Sequence, residues 1–228
     1  MNYNYKDISL FTEKEKINSV HDNFNNIANN YMKLFYEDTE DNKYIDKFLK
    51  ALKGDKILDA GCGIGRENKY VTEKGFDPIG IDFAENMIIE SKKKNPNSKF
   101  KVMDLANLTF PENSFNGIIF INTLLYIPKG QLDSIFSGFN KVLKKNGKMI
   151  IISQEGDLER FEEEPIDKGN YVYVCHYTFD YIKDVLEKHD FNIYDYEREY
   201  VEDDKCPINR KLVLYINKKW FFTIQIGW

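Results

Sequence analysis

Cysteine is scarce and scattered. Cys62, Cys175 and Cys206 stand far apart in a chain of 228 residues, with no C-x-x-C among them. That spacing offers neither a zinc site nor a disulfide framework, and it suits a reducing interior. Long apolar runs are lacking too, and none approaches the roughly 18 residues that a membrane-crossing helix needs. Met1–Tyr5 has no basic segment leading into an apolar one, so no secretory signal is expected. Basic charge is not in excess: 32 Lys and Arg stand against 37 Asp and Glu, a net charge of −5. Such a balance disfavours a protein held on nucleic acid by neutralising phosphates. Asn, Lys and Ile are spread evenly, and no internal repeat or low-complexity segment is visible. The expectation is a cytoplasmic protein with no nucleic-acid partner, no membrane contact and no metal.

What is present is an alternation of elements. Apolar and aromatic residues at helical spacing (Ile17, Val20, Phe24, Ile27, Tyr31, Leu34, then Ile45, Phe48, Leu49) predict two amphipathic helices, separated by an acidic break at Glu37–Asp41. Beyond Gly54 the pattern becomes strand, helix, strand. Strands are predicted at Lys56–Ala60, Pro78–Asp82, Lys99–Met103, Phe115–Ile121 and Lys148–Ile152. Helices are predicted between them, at Gly65–Gly75, Ala84–Lys94 and Gly130–Lys144. Strands apolar on both faces and alternating with helices imply a parallel sheet covered on both sides. After Ser153, Glu155–Glu164 reads as an acidic loop in which Glu162–Glu164 is solvated, and Tyr171–Tyr177 reads as a strand. A helix at Phe179–His189 leads to strands at Ile193–Glu199 and Lys211–Ile216, which are able to pair antiparallel across the Glu202–Asn209 loop. Trp220–Trp228 is apolar and aromatic, suited to extending or covering that edge or to a contact between chains.

The chemistry concentrates at Asp59-Ala60-Gly61-Cys62-Gly63-Ile64-Gly65-Arg66, three glycines at alternate positions between a strand and a helix. Glycine has no β-carbon, so a ligand can approach the backbone closely, and the helix start that follows favours a negative ligand group. A dinucleotide fingerprint would place a glycine where Arg66 stands. A carboxylate at Asp59 would also suit a cationic ligand better than a pyrophosphate. Asp82 and Asp104 follow at the ends of the second and third strands, so both are expected on the same crevice at the carboxyl edge of the sheet. Asp82 can accept both hydroxyls of a ribose, and Asp104 an exocyclic amine. Phe83, Met87 and Leu105 are placed to sandwich a flat base.

In this order the segments resemble class I S-adenosylmethionine-dependent methyltransferases of the type that acts on small molecules. The resemblance rests on Asp59–Gly65, Gly80-Ile81-Asp82-Phe83, Met103-Asp104-Leu105, Pro111–Asn116 and Ile121–Tyr126. It is firm from about Phe24 to Ile152 and loose beyond. It departs from the family at Asn116, where Asp is usual, and at Lys145-Asn146-Gly147, where Pro-Gly is common. The resemblance implies a doubly wound α/β fold, a seven-stranded and mostly parallel Rossmann-like sheet under an N-terminal helical cap. It divides one methyltransferase domain into a cap at 1–54, a cofactor-binding core at 55–153 and an acceptor-side segment at 154–228. It further implies S-adenosylmethionine as cofactor. Asp59, Gly61 and Gly63 would surround its methionine part, with Asp82 on the ribose and Asp104 and Leu105 on the adenine. Asn122 would border the methyl-donating end, and Tyr31 and Arg66 would lie near the carboxylate.

The acceptor is then a small molecule. An RNA or protein acceptor, or a protein that binds the cofactor without catalysis, is the alternative. A nicotinamide-dependent oxidoreductase is opposed by Gly65 and Arg66. His176, in Tyr171-Val172-Tyr173-Val174-Cys175-His176-Tyr177, is the candidate general base, against the plainer reading of a hydrogen-bonded strand histidine. Phe24, Tyr126, Tyr171, Tyr173 and Tyr177 are candidates for the wall of an acceptor pocket, or for core packing.

Overall fold

A computed structural model describes residues 8–200 and 210–219. The predicted loop at 202–209, Cys206 and the aromatic segment 220–228 lie outside the described residues.

The strands β1 (Lys56–Ala60), β2 (Asp77–Asp82), β3 (Lys99–Val102), β4 (Phe115–Ile121) and β5 (Leu143–Gln154) run parallel. With β8 (Phe191–Tyr200) and β9 (Arg210–Lys218) they form a seven-stranded sheet in the order β3-β2-β1-β4-β5-β9-β8. Of the seven, β9 alone opposes its neighbours: it pairs antiparallel with both β5 and β8. The predicted doubly wound, mostly parallel sheet is therefore present, and the last two strands do pair antiparallel.

Alternation along each strand feeds two cores. Leu58, Ile118, Phe120, Met149, Ile151 and Leu214 face one core, which is completed by α5 (Leu132–Val142) and α6 (Phe179–Lys188). Ile57, Ile119, Ile150, Ile152 and Val213 face the other, under α2 (Asn42–Ala51) and α3 (Arg66–Glu73). Central strands buried on both faces explain why they read as unbroken apolar runs.

The N-terminal cap is α1 (Glu13–Phe35), followed by α2. Its start is set by a capping box: the Glu15 N–H donates to Thr12 Oγ1 at 3.3 Å, and the Thr12 N–H donates to Glu15 Oε2 at 2.8 Å. Along its length α1 lies against α4 (Glu85–Lys94) and β7 (Tyr171–His176).

One predicted element is corrected. Residues 155–164 are not a plain loop, because Leu158–Glu163 forms β6, which pairs antiparallel with β7 in a separate two-stranded sheet. Phe161 supplies its anchor, 4.4 Å from Phe11 between ring centroids. Its charges are paired: Glu159 with Lys16 at 2.7 Å, and Arg160 with Glu162. Nor is Glu164 solvated. It is 6 % exposed and accepts from Asn23 Nδ2 at 2.8 Å.

Candidate active site

A cavity of about 400 Å³ runs along the carboxyl ends of β2, β1, β4 and β5 and under α1. A hollow of that size lies within the roughly 300–1,000 Å³ typical of small-molecule sites. Tyr31, Gly61, Gly63, Arg66, Asp82, Phe83, Met87, Asp104, Leu105 and Asn122 all line it. Residues from α1, the first turns of α3 and α4 (Glu85–Lys94), the glycine loop and the carboxyl ends of β2, β3 and β4 thus converge where the sequence pattern brings them.

The glycine loop divides its duties. Gly63 has φ +48°, and a β-carbon added there would meet nothing within 4 Å, so its backbone is open to the cavity. Gly65 has φ +79°, and its β-carbon would fall 2.6 Å from the Phe100 ring. Gly65 therefore serves the packing of α3, which begins at the next residue. Asp82 ties the loop to β2: its Oδ2 accepts the Gly63 N–H at 2.9 Å and its Oδ1 the Ala84 N–H at 2.9 Å. Burial raises the Asp82 pKa to about 6, against the pull of those backbone donors.

Asp104 caps the short turn that follows β3, with Oδ1 accepting from the Ala106 N–H at 2.9 Å. It lines the cavity as well, so capping and facing a ligand coexist in one side chain. Asn122 directly follows β4 in the left-handed region, at φ +51°, which a short polar side chain tolerates. Its Nδ2 donates to Asp41 Oδ2 at 3.4 Å. Tyr31 is half-buried, and desolvation pushes its phenol up to about 12.

Two expectations change. Asp59 does not line the cavity: it is 3 % exposed and its Oδ2 has no hydrogen-bond partner. Burial first, then the Glu67 and Asp82 carboxylates, push its carboxyl well above the usual range. The negative character of the cavity comes instead from Asp38, Glu40, Asp41, Glu67, Asp82 and Asp104, set against Arg66, Arg210 and Lys211. His176 is not among the lining residues either. It is 4 % exposed on β7, its Nδ1 has no partner, and burial together with Arg160 lowers its pKa to about 4.

Arg66 stands in the cavity wall with its guanidinium committed. Nε donates to Glu67 Oε1 at 2.8 Å and one terminal nitrogen to Asp38 Oδ2 at 3.0 Å. Burial alone would lower its pKa, but Glu67, Tyr31 and Asp38 together raise it. Of the aromatic candidates, Phe24 and Tyr126 line the cavity with ring centroids 4.9 Å apart. Tyr173 and Tyr177 are core, and the Tyr177 hydroxyl donates to the Ile127 carbonyl at 2.6 Å.

Several lining residues escaped the sequence reading. Asp38 and Asp41 lie in the acidic break between α1 and α2, and Lys211 at the start of β9 reaches Asp41 at 2.9 Å. The signal was the acidic run itself, which gave no hint of cations waiting for it.

Residues 57–147 match a family model described as a methyltransferase domain. They are a class I S-adenosylmethionine-dependent methyltransferase domain. Phosphoethanolamine N-methyltransferase 1 of Zea mays is 36 % identical to the chain over 114 residues, 48 % of this chain and 22 % of that protein. The chain thus spans about a fifth of that relative. Phosphoethanolamine N-methyltransferase of Plasmodium falciparum is 25 % identical over 210 residues, covering 83 % of this chain and 76 % of that one. In fold, the methyltransferase domain and its flanking segments resemble a Burkholderia thailandensis structure, that of 1,6-didemethyltoxoflavin-N1-methyltransferase bound to its namesake and S-adenosylhomocysteine. The TM-score is 0.74 at 17 % identity, over 96 % of this chain and 95 % of that one.

The residues present fit S-adenosylmethionine. Gly63 leaves an open cradle beside a helix start, and a carboxylate has room for more than the two backbone donors that Asp82 accepts.

Proposed function

We propose that the protein transfers a methyl group from S-adenosylmethionine to a small-molecule acceptor. The observation that carries this reading is the junction of Asp82 with the Gly63 amide on the wall of a cavity that ten of the eleven expected cofactor residues share. When bound, the cofactor supplies a methyl group already activated by a sulfonium. The protein's work is to bind, orient and exclude water.

Asp82 accepts ribose hydroxyls, Asp104 and Leu105 meet the adenine, and Phe83 and Met87 enclose it. Gly61 and Gly63 present backbone to the amino-acid part, and Tyr31 and Arg66 stand beside that part. With those residues occupied, the rest of the cavity toward β5 falls to the acceptor, and Asn122 lies between the two. α1 closes the top. Orientation of two reactants in this way is worth effective molarities on the order of 10⁵–10⁸ M. Tyr31 and Tyr126 are held protonated by burial, so they act as hydrogen-bonding walls and not as bases. His176 lies outside the lining, and we assign it to the fold. The division into a cap at 1–54, a core at 55–153 and an acceptor-side segment at 154–228 is part of the same proposal. So is a cytoplasmic site of action, which the wide spacing of the cysteines supports. Among the described residues no helix is long and apolar enough to cross a membrane.

The names of the relatives point to nitrogen in small organic acceptors, in keeping with a cavity of carboxylate excess. Isothermal titration tests the core of the proposal. Micromolar binding of S-adenosylmethionine and S-adenosylhomocysteine, with none of NADH, is expected; no binding of either sulfur nucleoside would refute it.

A further inference from the structure

Ser153, near the carboxyl end of β5, lines the cavity and is 5 % exposed, yet its Oγ has no hydrogen-bond partner. A buried hydroxyl left without a partner costs about 1–3 kcal/mol, and it is retained where something else satisfies it. Its surroundings show what that is. Strand register places Ser153 opposite Leu212 and Gln154 opposite Lys211. Side chains alternate, so Ser153 shares its face with Ile151 and Met149, on the α5 side of the sheet. Val20, Phe24, Tyr126, Ile127 and Ile135 line the cavity and belong to the core on that side, and Gln131, one turn before Ile135, adds an amide to the lining. Lys211 emerges on the opposite face, engaged by Asp41 at 2.9 Å and Glu40 at 3.4 Å, and Arg210 is 3.5 Å from Glu155. The cations at this end of the cavity are thus already matched by carboxylates.

We propose that Ser153 determines acceptor specificity: its hydroxyl bonds the polar group of an acceptor whose body is a flat, mainly apolar ring seated against Phe24, Tyr126 and Ile135. This deepens the proposed function and rests on it, since the chamber is the part of the cavity left over once the nucleoside residues are assigned. A site built around one hydroxyl rejects an analogue lacking its partner, since burial then leaves Ser153 unsatisfied.

The experiment uses the full chain saturated with S-adenosylhomocysteine, whose own titration first reports whether the cofactor reading stands. Calorimetry then measures 1-naphthol, naphthalene and phosphoethanolamine as probes, for the wild type and Ser153→Ala. The wild type is expected to bind 1-naphthol about ten-fold more tightly than naphthalene and more tightly than phosphoethanolamine. Ser153→Ala is expected to erase the difference between the two rings and leave S-adenosylhomocysteine affinity unchanged. Its melting temperature without ligands should equal or exceed that of the wild type, because the lost hydroxyl had no partner. The proposal is overturned if the variant melts earlier, if both proteins prefer 1-naphthol equally, if 1-naphthol does not bind, or if phosphoethanolamine binds more tightly than it.

Discussion

Asp82 and Gly63, 19 positions apart, meet at 2.9 Å, where a carboxylate oxygen accepts the one loop amide whose residue faces open space. The bond fixes the height of the glycine loop against the end of β2. It also keeps the carboxylate aimed along the cavity wall.

Removing that carboxylate has a predictable cost. Two charge-assisted bonds to ribose hydroxyls contribute roughly 1.5–3 kcal/mol each, so Asp82→Ala should weaken S-adenosylhomocysteine binding at least about 100-fold. Hydroxyls donate to the ionised form, so wild-type affinity should hold above pH 7 and fall as pH drops below about 6, the raised pKa of Asp82. Stability of the ligand-free protein moves the other way. A raised carboxyl pKa gives a contribution, about 3 kcal/mol, that is complete below the unfolded value and lost as pH rises through 6. Comparing wild type with Asp82→Asn by denaturation and by calorimetry across pH 4–8 reads both trends.

Substitutions at Gly63 and Gly65 should separate binding from folding. Gly65→Ala drives a methyl against Phe100 from a left-handed backbone and is expected to cost roughly 2–4 kcal/mol in urea unfolding. Gly63→Ala meets no neighbour and should cost only about 1 kcal/mol, while S-adenosylhomocysteine affinity drops ten-fold or more.

His176 offers a pH signature of a buried neutral imidazole. Its folded pKa of about 4 lies below the free value of 6.5, so its contribution is present above pH 6.5 and is lost as pH falls toward 4. The loss amounts to about 3 kcal/mol. His176→Gln should flatten that part of the stability profile while leaving turnover within about two-fold of wild type. A collapse of turnover in a folded variant would return His176 to the list of reacting groups.

On the proposed reading, Asp38 competes with the cofactor carboxylate for Arg66. Replacing it with Asn removes the competitor at 3.0 Å while Glu67 still orients the guanidinium. S-adenosylhomocysteine affinity is expected to rise a few-fold, more at low ionic strength, and titration at two salt concentrations would show it.

Much of this was legible in the sequence because buried parallel strands announce themselves. Lys56–Ala60 and Phe115–Ile121 were bounded to the residue. The glycine loop and the acids at strand ends were equally plain, because ligand geometry demands those residue types there. What the sequence concealed was pairing across long distances. Leu158–Glu163 is acidic and carries one buried ring, so nothing local marks it as a strand until Tyr171–His176 lies beside it. Asp59 sits inside the expected motif, yet its strand carries it below the cavity floor. Lys211 and Asp41 are 170 positions apart, and no periodicity links them.

The helix α1 and the β6–β7 pair are stitched at three levels: Lys16 to Glu159, Ser19 Oγ to the Tyr173 N–H, and Asn23 to Glu164. Lifting the helix by itself would strip Glu164 of a partner in a dry setting. The two pieces are therefore better regarded as one shutter, built from residues 13–35 and 158–176 and hung on the segments at either side. Whatever displaces the helix must therefore displace the hairpin with it or break all three contacts.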